Sequence, residues 1–332
     1  MTSSEEFESL AAPLRRELVA YCYRITGSVD EAEDLVQETY LRAWGSYARF
    51  EGRSSMRTWL YRIATNVCLR AIERRDRRPL PAGLGPPGHN PEGPVAAVRA
   101  AAWLQPFPET VNHPELADPA AVVASRASMR LALIASLQYL PARQRVVLIL
   151  RDILDWPAAE TAEVLGTTTT AVNSALRRAR AHLERAAPAP EDISEPADPR
   201  LRELVDRYSA AFENADLATL MSLVRDDVTL EMPPLPAWFA GVSPVSRFLA
   251  SHVLTGPGQF TLIPAVANGQ PAFASYRRNP DGSYQAHAIQ VFSTLGGRIS
   301  RIVIFLEPGL FSTFGLPRSL DAVAAPAPRA YC

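Results

Sequence analysis

The side chains best suited to contact chemistry lie in the stretch DEAEDLVQETYLRAW, which runs from Asp30 to Trp44. Five acidic residues and no basic residue occur between Asp30 and Glu38, a charge pattern that suits a basic partner. Wound as a helix, the stretch has one broad apolar side, as a core-facing helix has. Its acidic side nevertheless carries Leu41 and, at the margin, Trp44. Such a face is either a solvated helix surface with stray apolar residues or a protein-docking surface, in which the acids steer a partner and the apolar groups desolvate on contact.

A basic segment follows, with nine arginines against three acids between Arg49 and Arg78. It predicts a helix from about Ser55 to Arg75, with Trp59 on the core face. We expect the opposite face to suit unstacked single-stranded DNA, because planar groups stack on bases while arginines meet the backbone. The residues predicted there are Tyr61, Arg62, Thr65, Asn66, Arg70 and Arg74. The remaining arginines, Arg75, Arg77 and Arg78 among them, either meet phosphates or are solvated.

A helix-turn-helix is predicted from Pro157 to Leu176, with a short first helix, a turn at Gly166 and a second helix that continues to about Arg185. Two helices joined in this way can place the second in the major groove of duplex DNA. Its first turns would touch base edges while later arginines hold phosphates. The residues offered for this are Thr168, Thr169, Thr170, Asn173, Arg177, Arg178 and Arg180.

Bulk composition limits the alternatives. The chain of 332 residues is 47% hydrophobic and 21% charged, with net charge −1, which predicts two or three soluble domains. No apolar run is long enough to span a membrane and the start is unlike a secretory signal, so we expect a cytoplasmic protein without membrane contact. Three distant cysteines and scattered histidines predict no metal site, and we expect no cofactor. No nucleophile triad or nucleotide-binding loop is visible in residues 1–187, so no catalytic residue is predicted there.

The chain divides at two proline-rich segments. Residues 1–79 are predicted to be all-helical, and residues 80–119 form a linker with nine prolines and an apolar island, WLQPFP. That island should dock either on this chain or on a partner. Residues 120–187 are helical again and 188–199 form an acidic linker. Residues 200–318 are predicted to form a helix followed by strands, with turns at NPDGS and LGGR, which indicates an α+β domain. Residues 319–332 are predicted to be a tail.

The segments DEAEDLVQETYLRAW, GRSSMRTWLYRIATNVCLRAIERRDRR and LPARQRVVLILRDI to SALRRARAHL resemble an extracytoplasmic-function (ECF) sigma factor of bacterial RNA polymerase, in the sigma-70 family. They stand in the family's order, as regions 2 and 4 separated by a linker. The linker and the added domain resemble the subgroup with a SnoaL-like extension. The implied fold is therefore multidomain: a region 2 helical bundle and a region 4 helix-turn-helix, both all-α, followed by an α+β cone-shaped domain.

The resemblance implies a partner for each surface. The acidic helix would bind the β′ clamp of core RNA polymerase through Asp34, Leu35, Gln37, Glu38, Leu41 and Trp44, and region 4 would meet the β flap. The basic helix and the turn Phe50–Ser55 would capture the melted −10 element of promoter DNA. The helix-turn-helix would read the −35 duplex, although Asn173 and Ala175 stand where the family commonly has Lys and Arg. An anti-sigma factor or a small-molecule ligand of the C-terminal domain is a further partner that the resemblance allows.

The SnoaL-like resemblance implies a curved sheet around a cavity, in domains of which some catalyse and others only bind. Cavity candidates are Asp227, Glu231, Trp238, His252, Tyr276 and His287, and their spacing selects no catalytic pair. We predict a sigma factor that is not an enzyme and whose C-terminal domain modulates its activity. The alternatives are a bifunctional protein with a cyclase- or isomerase-type cavity, and a conventional helix-turn-helix regulator.

Overall fold

The computed structural model describes residues 3–52, 54–73, 77–95, 102–109, 126–186, 191–192 and 198–321. It divides into two compact units: Met1–Arg78 with Glu109–Ala189, and Pro79–Pro108 with Pro190–Cys332. Most of the predicted linker thus belongs to the second unit. Arg74, Arg75 and the tail from residue 322 lie outside the described residues.

The first helical block contains α1 (Ser3–Ala11), α2 (Arg15–Thr26), α3 (Val29–Ser46) and α4 (Met56–Ile72). The sequence predicts one helix from Glu5 to Ile25, but a 3₁₀ turn at Ala12–Leu14 separates two. Pro13 explains the break, because it has no N–H to continue the α-helical ladder. Gly27, at φ 71°, ends α2.

Side-chain caps fix the starts of the two functional helices. Ser28 Oγ accepts the Glu31 N–H at the start of α3, and Ser55 Oγ accepts the Thr58 N–H at the start of α4. The core between α2, α3 and α4 is fully buried at Leu18, Ile25, Val36, Leu60 and Ala64. Cys22 and Cys68 are buried free thiols in this core.

The second helical block contains α5 (Leu131–Leu137), α6 (Ala142–Leu148), α7 (Ala158–Leu165) and α8 (Thr169–Ala186). A π-helical turn, Ile149–Ile153, extends α6. Gly166, in the left-handed region at φ 59°, ends α7 and turns the chain into α8. The predicted helix-turn-helix is therefore present.

The second unit has the predicted α+β fold. Two helices, α9 (Pro199–Glu213) and α10 (Leu217–Leu223), precede a seven-stranded sheet of order β2-β1-β6-β5-β4-β3 with β7 beside β5. The strands are β1 (Val224–Glu231), β2 (Trp238–Ala240), β3 (Phe260–Ala267), β4 (Gln270–Arg278), β5 (Tyr284–Leu295), β6 (Arg298–Phe305) and β7 (Ser319–Leu320). Helix α11 (Val242–Phe248) follows β2 and α12 (Leu310–Thr313) follows β6.

The two faces of this sheet have different neighbours. Ile302 and Ile304 of β6 share a buried cluster with Tyr208 of α9, so alternate strand residues face the helices. The rings of Tyr208, Phe212, Phe260, Phe273 and Phe292 occupy this side. The intervening residues, such as Val303, point to the opposite face, here called the outer face.

Candidate docking and nucleic-acid interfaces

The acidic face of α3 forms an exposed surface with two large apolar side chains. Leu41 is 67% exposed and Trp44 is 45% exposed, and Asp34 and Gln37 are also exposed. The predicted contact residue Leu35 is instead only 6% exposed. It belongs to the apolar stripe of α3 at helical spacing, so it packs in the core and cannot contact a partner directly.

Two further features modify this surface. Glu38 is half-buried and forms an ion pair with Arg42 one turn later, so it is a less available acid than Asp34. Helix α1 adds Phe7, whose ring centroid lies 5.5 Å from that of Trp44 and 6.4 Å from that of Tyr40. Phe7 is not predictable from local sequence, because α1 reaches α3 only after the break at Pro13.

The face of α4 that the sequence predicts to be exposed is partly core. Tyr61 and Thr65 have no exposed surface. The Tyr61 hydroxyl donates to Glu17 Oε1 at 2.7 Å, and the Thr65 and Tyr21 hydroxyls are hydrogen-bonded at 2.7 Å. Burial, reinforced by the Glu17 carboxylate, raises the pKa of Tyr61 well above its usual value. Helix α4 packs on two sides, and a single apolar stripe in the sequence reveals only one of them.

The other predicted residues of α4 are accessible. Arg62, Asn66 and Arg70 are exposed, whereas Arg74 lies outside the described residues. Trp59, predicted as core, is half-buried and its ring centroid lies 4.7 Å from that of Phe50. The exposed part of α4 is therefore a polar, arginine-bearing strip beside an aromatic pair.

Two arginines after α4 are engaged within the first unit. Arg78 forms an ion pair with Glu31 at 2.9 Å, where the two side chains are 14% and 8% exposed. The Arg77 guanidinium lies over the Tyr139 ring at 4.9 Å. A phosphate role for Arg78 would require breaking a nearly buried ion pair, so the structure contradicts it.

A tryptophan from the second helical block covers Tyr61. The indole of Trp156, 2% exposed, lies 4.7 Å from the Tyr61 ring, centroid to centroid. The Arg57 guanidinium lies 5.0 Å from the Trp156 ring centre and 5.3 Å from that of Tyr61. The contact was missed because residues so distant in sequence leave no periodic signal.

Two buried arginines also join the helical blocks. Arg145 donates to the Ile25 carbonyl, which satisfies an acceptor at the end of α2, and to Gln138 Oε1 at 2.8 Å. Arg24 donates to Ser128 Oγ at 2.9 Å. Burial lowers the pKa of both guanidinium groups to about 10, so both remain charged at neutral pH. The two blocks are packed together within the first unit.

The predicted duplex-reading residues all lie on the exposed surface of the helix-turn-helix: Thr168, Thr169, Thr170, Asn173, Arg177, Arg178 and Arg180. Two of them have other engagements. Thr168 Oγ1 accepts the Ala171 N–H at 3.2 Å and so caps α8. Arg180 donates twice to Asp152, at 2.8 and 2.6 Å. Asn173, Arg177 and Arg178 are the residues most available to DNA.

The four cavity candidates of the sheet do not share one cavity, which corrects the sequence prediction. Glu231 has no exposed surface and lies on the outer face, where its carboxylate accepts from Arg301 and from the Ala82 N–H. Tyr276 donates to the Pro317 carbonyl at 2.9 Å, and the half-buried His287 packs on Phe260. The Trp238 indole N–H donates to the Gly85 carbonyl at 2.9 Å. Strand alternation and a bulge in β5 send these side chains to different surroundings.

The two remaining candidates are also apart from the interior. Asp227 is exposed and pairs with Arg225 at 2.8 Å, and His252 is exposed on the ring of Phe248. Within the described residues, no group of three His, Cys, Asp or Glu side chains is placed to hold a metal ion. Over the same residues, no helix is both long enough and apolar enough to cross a membrane.

Three family models match the chain in the predicted order. They are Sigma-70 region 2 over residues 10–78, Sigma-70 region 4 over residues 130–183, and the SnoaL-like domain over residues 205–302. The first two matches contain α3, α4 and the helix-turn-helix, and the third contains most of the sheet.

Curated relatives match across nearly the whole chain. ECF RNA polymerase sigma factor SigG of Mycobacterium tuberculosis is 47% identical over 317 residues, covering 95% of this chain and 85% of the relative. ECF RNA polymerase sigma factor SigJ of the same organism is 31% identical over 320 residues, covering 92% of each. The crystal structure of SigJ matches with a TM-score of 0.58 at 26% identity, covering 95% of this chain and 99% of that one.

Proposed function

The chain belongs to the ECF RNA polymerase sigma factors of the sigma-70 family, and we propose how its own residues divide the work of such a factor. A sigma factor binds core RNA polymerase and directs transcription initiation to specific promoters. The observation that supports this most is the succession of both sigma regions and the SnoaL-like domain along one chain. Because a sigma factor acts on the polymerase at the chromosome, we place the chain in the cytoplasm.

The docking surface for polymerase is the exposed part of α3, centred on Leu41 and Trp44 with Asp34 and Gln37 beside them. The acids would steer a basic partner such as the β′ clamp, and the two apolar side chains would supply the desolvated centre of the contact. Leu35 supports this surface from below. Phe7 extends it, since its ring lies against Trp44.

The helix-turn-helix would read the −35 duplex through Asn173 near the start of α8, with Arg177 and Arg178 on phosphates. The −10 strand would lie along Arg62, Asn66 and Arg70 of α4. Its bases need a planar surface on which to stack.

Tyr61 can offer that planar surface only after Trp156 leaves it. One side of the Tyr61 ring lies on Tyr21, at 4.8 Å between centroids, and Trp156 lies at 4.7 Å. In this arrangement an indole occupies the place of a stacked base. The packed blocks therefore represent a resting state, and the polymerase would favour a separated one through its higher affinity for it.

We infer that the C-terminal domain modulates the factor and does not catalyse. The space between its helices and sheet holds five aromatic rings, and its buried carboxylate, Glu231, is neutralised by Arg301. Acid–base catalysis instead requires groups within hydrogen-bond reach of a substrate. An anti-sigma partner or a small-molecule ligand of this domain would act by shifting the balance between resting and separated states.

Run-off transcription with purified core polymerase tests the proposal. The full chain should direct specific starts, and a chain truncated after Ala186 should do so with altered yield at equal concentration. Leu41→Arg should abolish the starts, whereas Leu84→Arg, at a comparably exposed leucine, should not. Equal yields from full and truncated chains over a range of salt and polymerase concentrations would contradict the regulatory role. Turnover of a small molecule that is lost with Glu231→Gln would favour the enzymatic alternative.

A further inference from the structure

The linker segment Pro79–Pro108, here called the strap, belongs to the same compact unit as the C-terminal sheet. Near its start, the Ala82 N–H donates to Glu231 Oε2 at 2.8 Å. It then pairs with β2, where the Gly88 N–H donates to the Trp238 carbonyl at 2.7 Å. Gly88 is required for this approach, because a Cβ there would lie only 2.9 Å from the ring of Phe239.

The other end of the strap is held at the opposite edge of the sheet. Phe107 and Asn268 exchange two hydrogen bonds of 2.8 Å, one from each backbone N–H. Pro108 forms an isolated antiparallel bridge with Ala267, the last residue of β3. Because β2 and β3 are the two ends of the strand order, the strap contacts both edges of the sheet. Its anchors are fully buried: Leu80, Leu104 and Phe107 are 3%, 0% and 1% exposed.

The Glu231 carboxylate links the sheet to the strap through hydrogen bonds. It has no exposed surface and uses one oxygen for the Arg301 guanidinium, at 2.7 Å, and the other for the strap. A hydrogen bond to a charged and buried acceptor is among the stronger contacts in a protein. Release of Ala82 would leave part of a buried charge without a donor, and this opposes release.

Bound in this way, the strap contributes almost nothing to the reach of the chain. The Leu104 N–H donates to the Pro79 carbonyl at 3.3 Å, which closes the intervening residues into a loop. Only the chain from Leu104 to Arg126 then separates the two helical blocks, and fully extended it spans about 75 Å. With the strap free, the chain from Arg78 to Arg126 spans about 160 Å when extended and roughly 40 Å on average as a flexible coil.

We propose that the outer face of the C-terminal sheet is a binding site for an extended, proline-rich peptide with an aromatic anchor, and that the strap of this chain is its resident ligand. A ligand or partner that binds the same face competes with the strap and lengthens the tether between the two DNA-reading blocks. That consequence rests on the proposed function. The −35 and −10 elements lie about 25 base pairs apart, or about 85 Å along straight duplex. The chain with a bound strap spans only about 75 Å, so the two blocks themselves would have to cover the difference.

Hydrogen exchange on the full chain tests the binding site without reference to transcription. Leu104→Glu with Phe107→Glu places two charges at buried anchors, so the strap should leave. The Ala82 and Gly88 amides should then exchange at least tenfold faster, while the β5 amides stay as in the unchanged chain. Leu84→Glu, the same change at a strap leucine that is 48% exposed, should alter neither. Unchanged protection of Ala82 and Gly88 in the double variant overturns the proposal.

A milder variant decides the matter if the double variant loses β5 protection. Asn268 has φ 56°, in the left-handed region that glycine adopts without strain. Asn268→Gly therefore keeps the turn and removes only the side-chain acceptor for the Phe107 N–H. Exchange of the Phe107 amide should rise at least threefold. No change in that amide would refute the anchor.

Transcription tests the consequence separately. Two promoters are compared whose −35 and −10 elements differ in spacing by one helical turn. The measured quantity is the ratio of transcript from the longer spacing to transcript from the shorter. Variants that release the strap should raise this ratio at least threefold over that of the unchanged chain. An unchanged ratio overturns the tether consequence and leaves the binding site to the exchange result. If the unchanged chain directs no specific start on either promoter, it is the proposed function that fails.

Discussion

Replacing Trp156 with alanine should expose the stacking face of Tyr61. Removal of a buried tryptophan from a packed contact costs about 3–5 kcal/mol. Part of this is offset, because the Trp156 indole N–H is buried with no hydrogen-bond partner among the described residues, a penalty of about 1–3 kcal/mol that disappears with the side chain. A net loss of about 2 kcal/mol from the resting state shifts the balance towards the separated state roughly thirtyfold.

The gain should appear as tighter binding of single-stranded DNA. Because base stacking tolerates any sequence, a labelled oligothymidine followed by fluorescence anisotropy is sufficient. The dissociation constant of Trp156→Ala for the oligonucleotide should fall roughly ten- to thirtyfold. The full thirtyfold is reached if only the separated state binds single-stranded DNA. The gain should vanish when Tyr61→Ala is added.

Trp44→Ala is the matched control, since it removes the same residue type from the exposed surface of α3. It should leave oligothymidine binding unchanged. If Trp156→Ala folds, as judged by its thermal unfolding, and binds the oligonucleotide no better than the unchanged chain, then Trp156 does not occupy the place of a base.

Three further outcomes are expected. Leu41→Arg should abolish co-purification with core polymerase while changing the free energy of unfolding by less than about 0.5 kcal/mol, whereas Leu35→Ala should lower that free energy by about 2–5 kcal/mol in urea unfolding. Arg178→Ala should weaken binding of duplex DNA and reduce the salt dependence of the binding constant by about one counterion, as measured by titration at several salt concentrations. Burial, and then the charge of Arg277, lower the pKa of His287. Between that lowered pKa and the pKa of the unfolded state, the folded state binds fewer protons than the unfolded state, so the stability of the fold should rise with pH. His287→Gln should remove this rise when thermal unfolding is followed from about pH 5 to 7.

The elements and their order follow from local patterns. Alternation in YQAHAIQVFSTL and RISRIVIFL predicts β5 and β6, and glycines mark the ends of α2 and α7. The exposed acidic face of α3 is equally local, because it depends only on helical periodicity. Local sequence patterns predict the structure correctly where a residue's environment depends only on its own helix or strand.

Predictions failed where an environment depends on a distant element. Tyr61 and Thr65 lie off the main apolar stripe of α4, yet Tyr21 and Trp156 enclose them from elsewhere in the chain. The cavity candidates failed for a related reason. In a sheet covered on both faces, alternation does not tell which face is the interior, and Glu231 faces the strap.

The contacts that join the two helical blocks are not those of an optimised core. Arg24 Nε, Arg145 Nε and the Trp156 indole N–H are all buried there with no hydrogen-bond partner among the described residues. Each such donor costs about 1–3 kcal/mol, and water would satisfy it once the blocks separate. Apolar burial between the blocks, to which the Trp156 and Tyr61 rings contribute, must therefore outweigh a polar penalty of several kcal/mol. A partner needs only a modest preference for the separated state to reverse such a balance, which is what a factor recruited by polymerase requires.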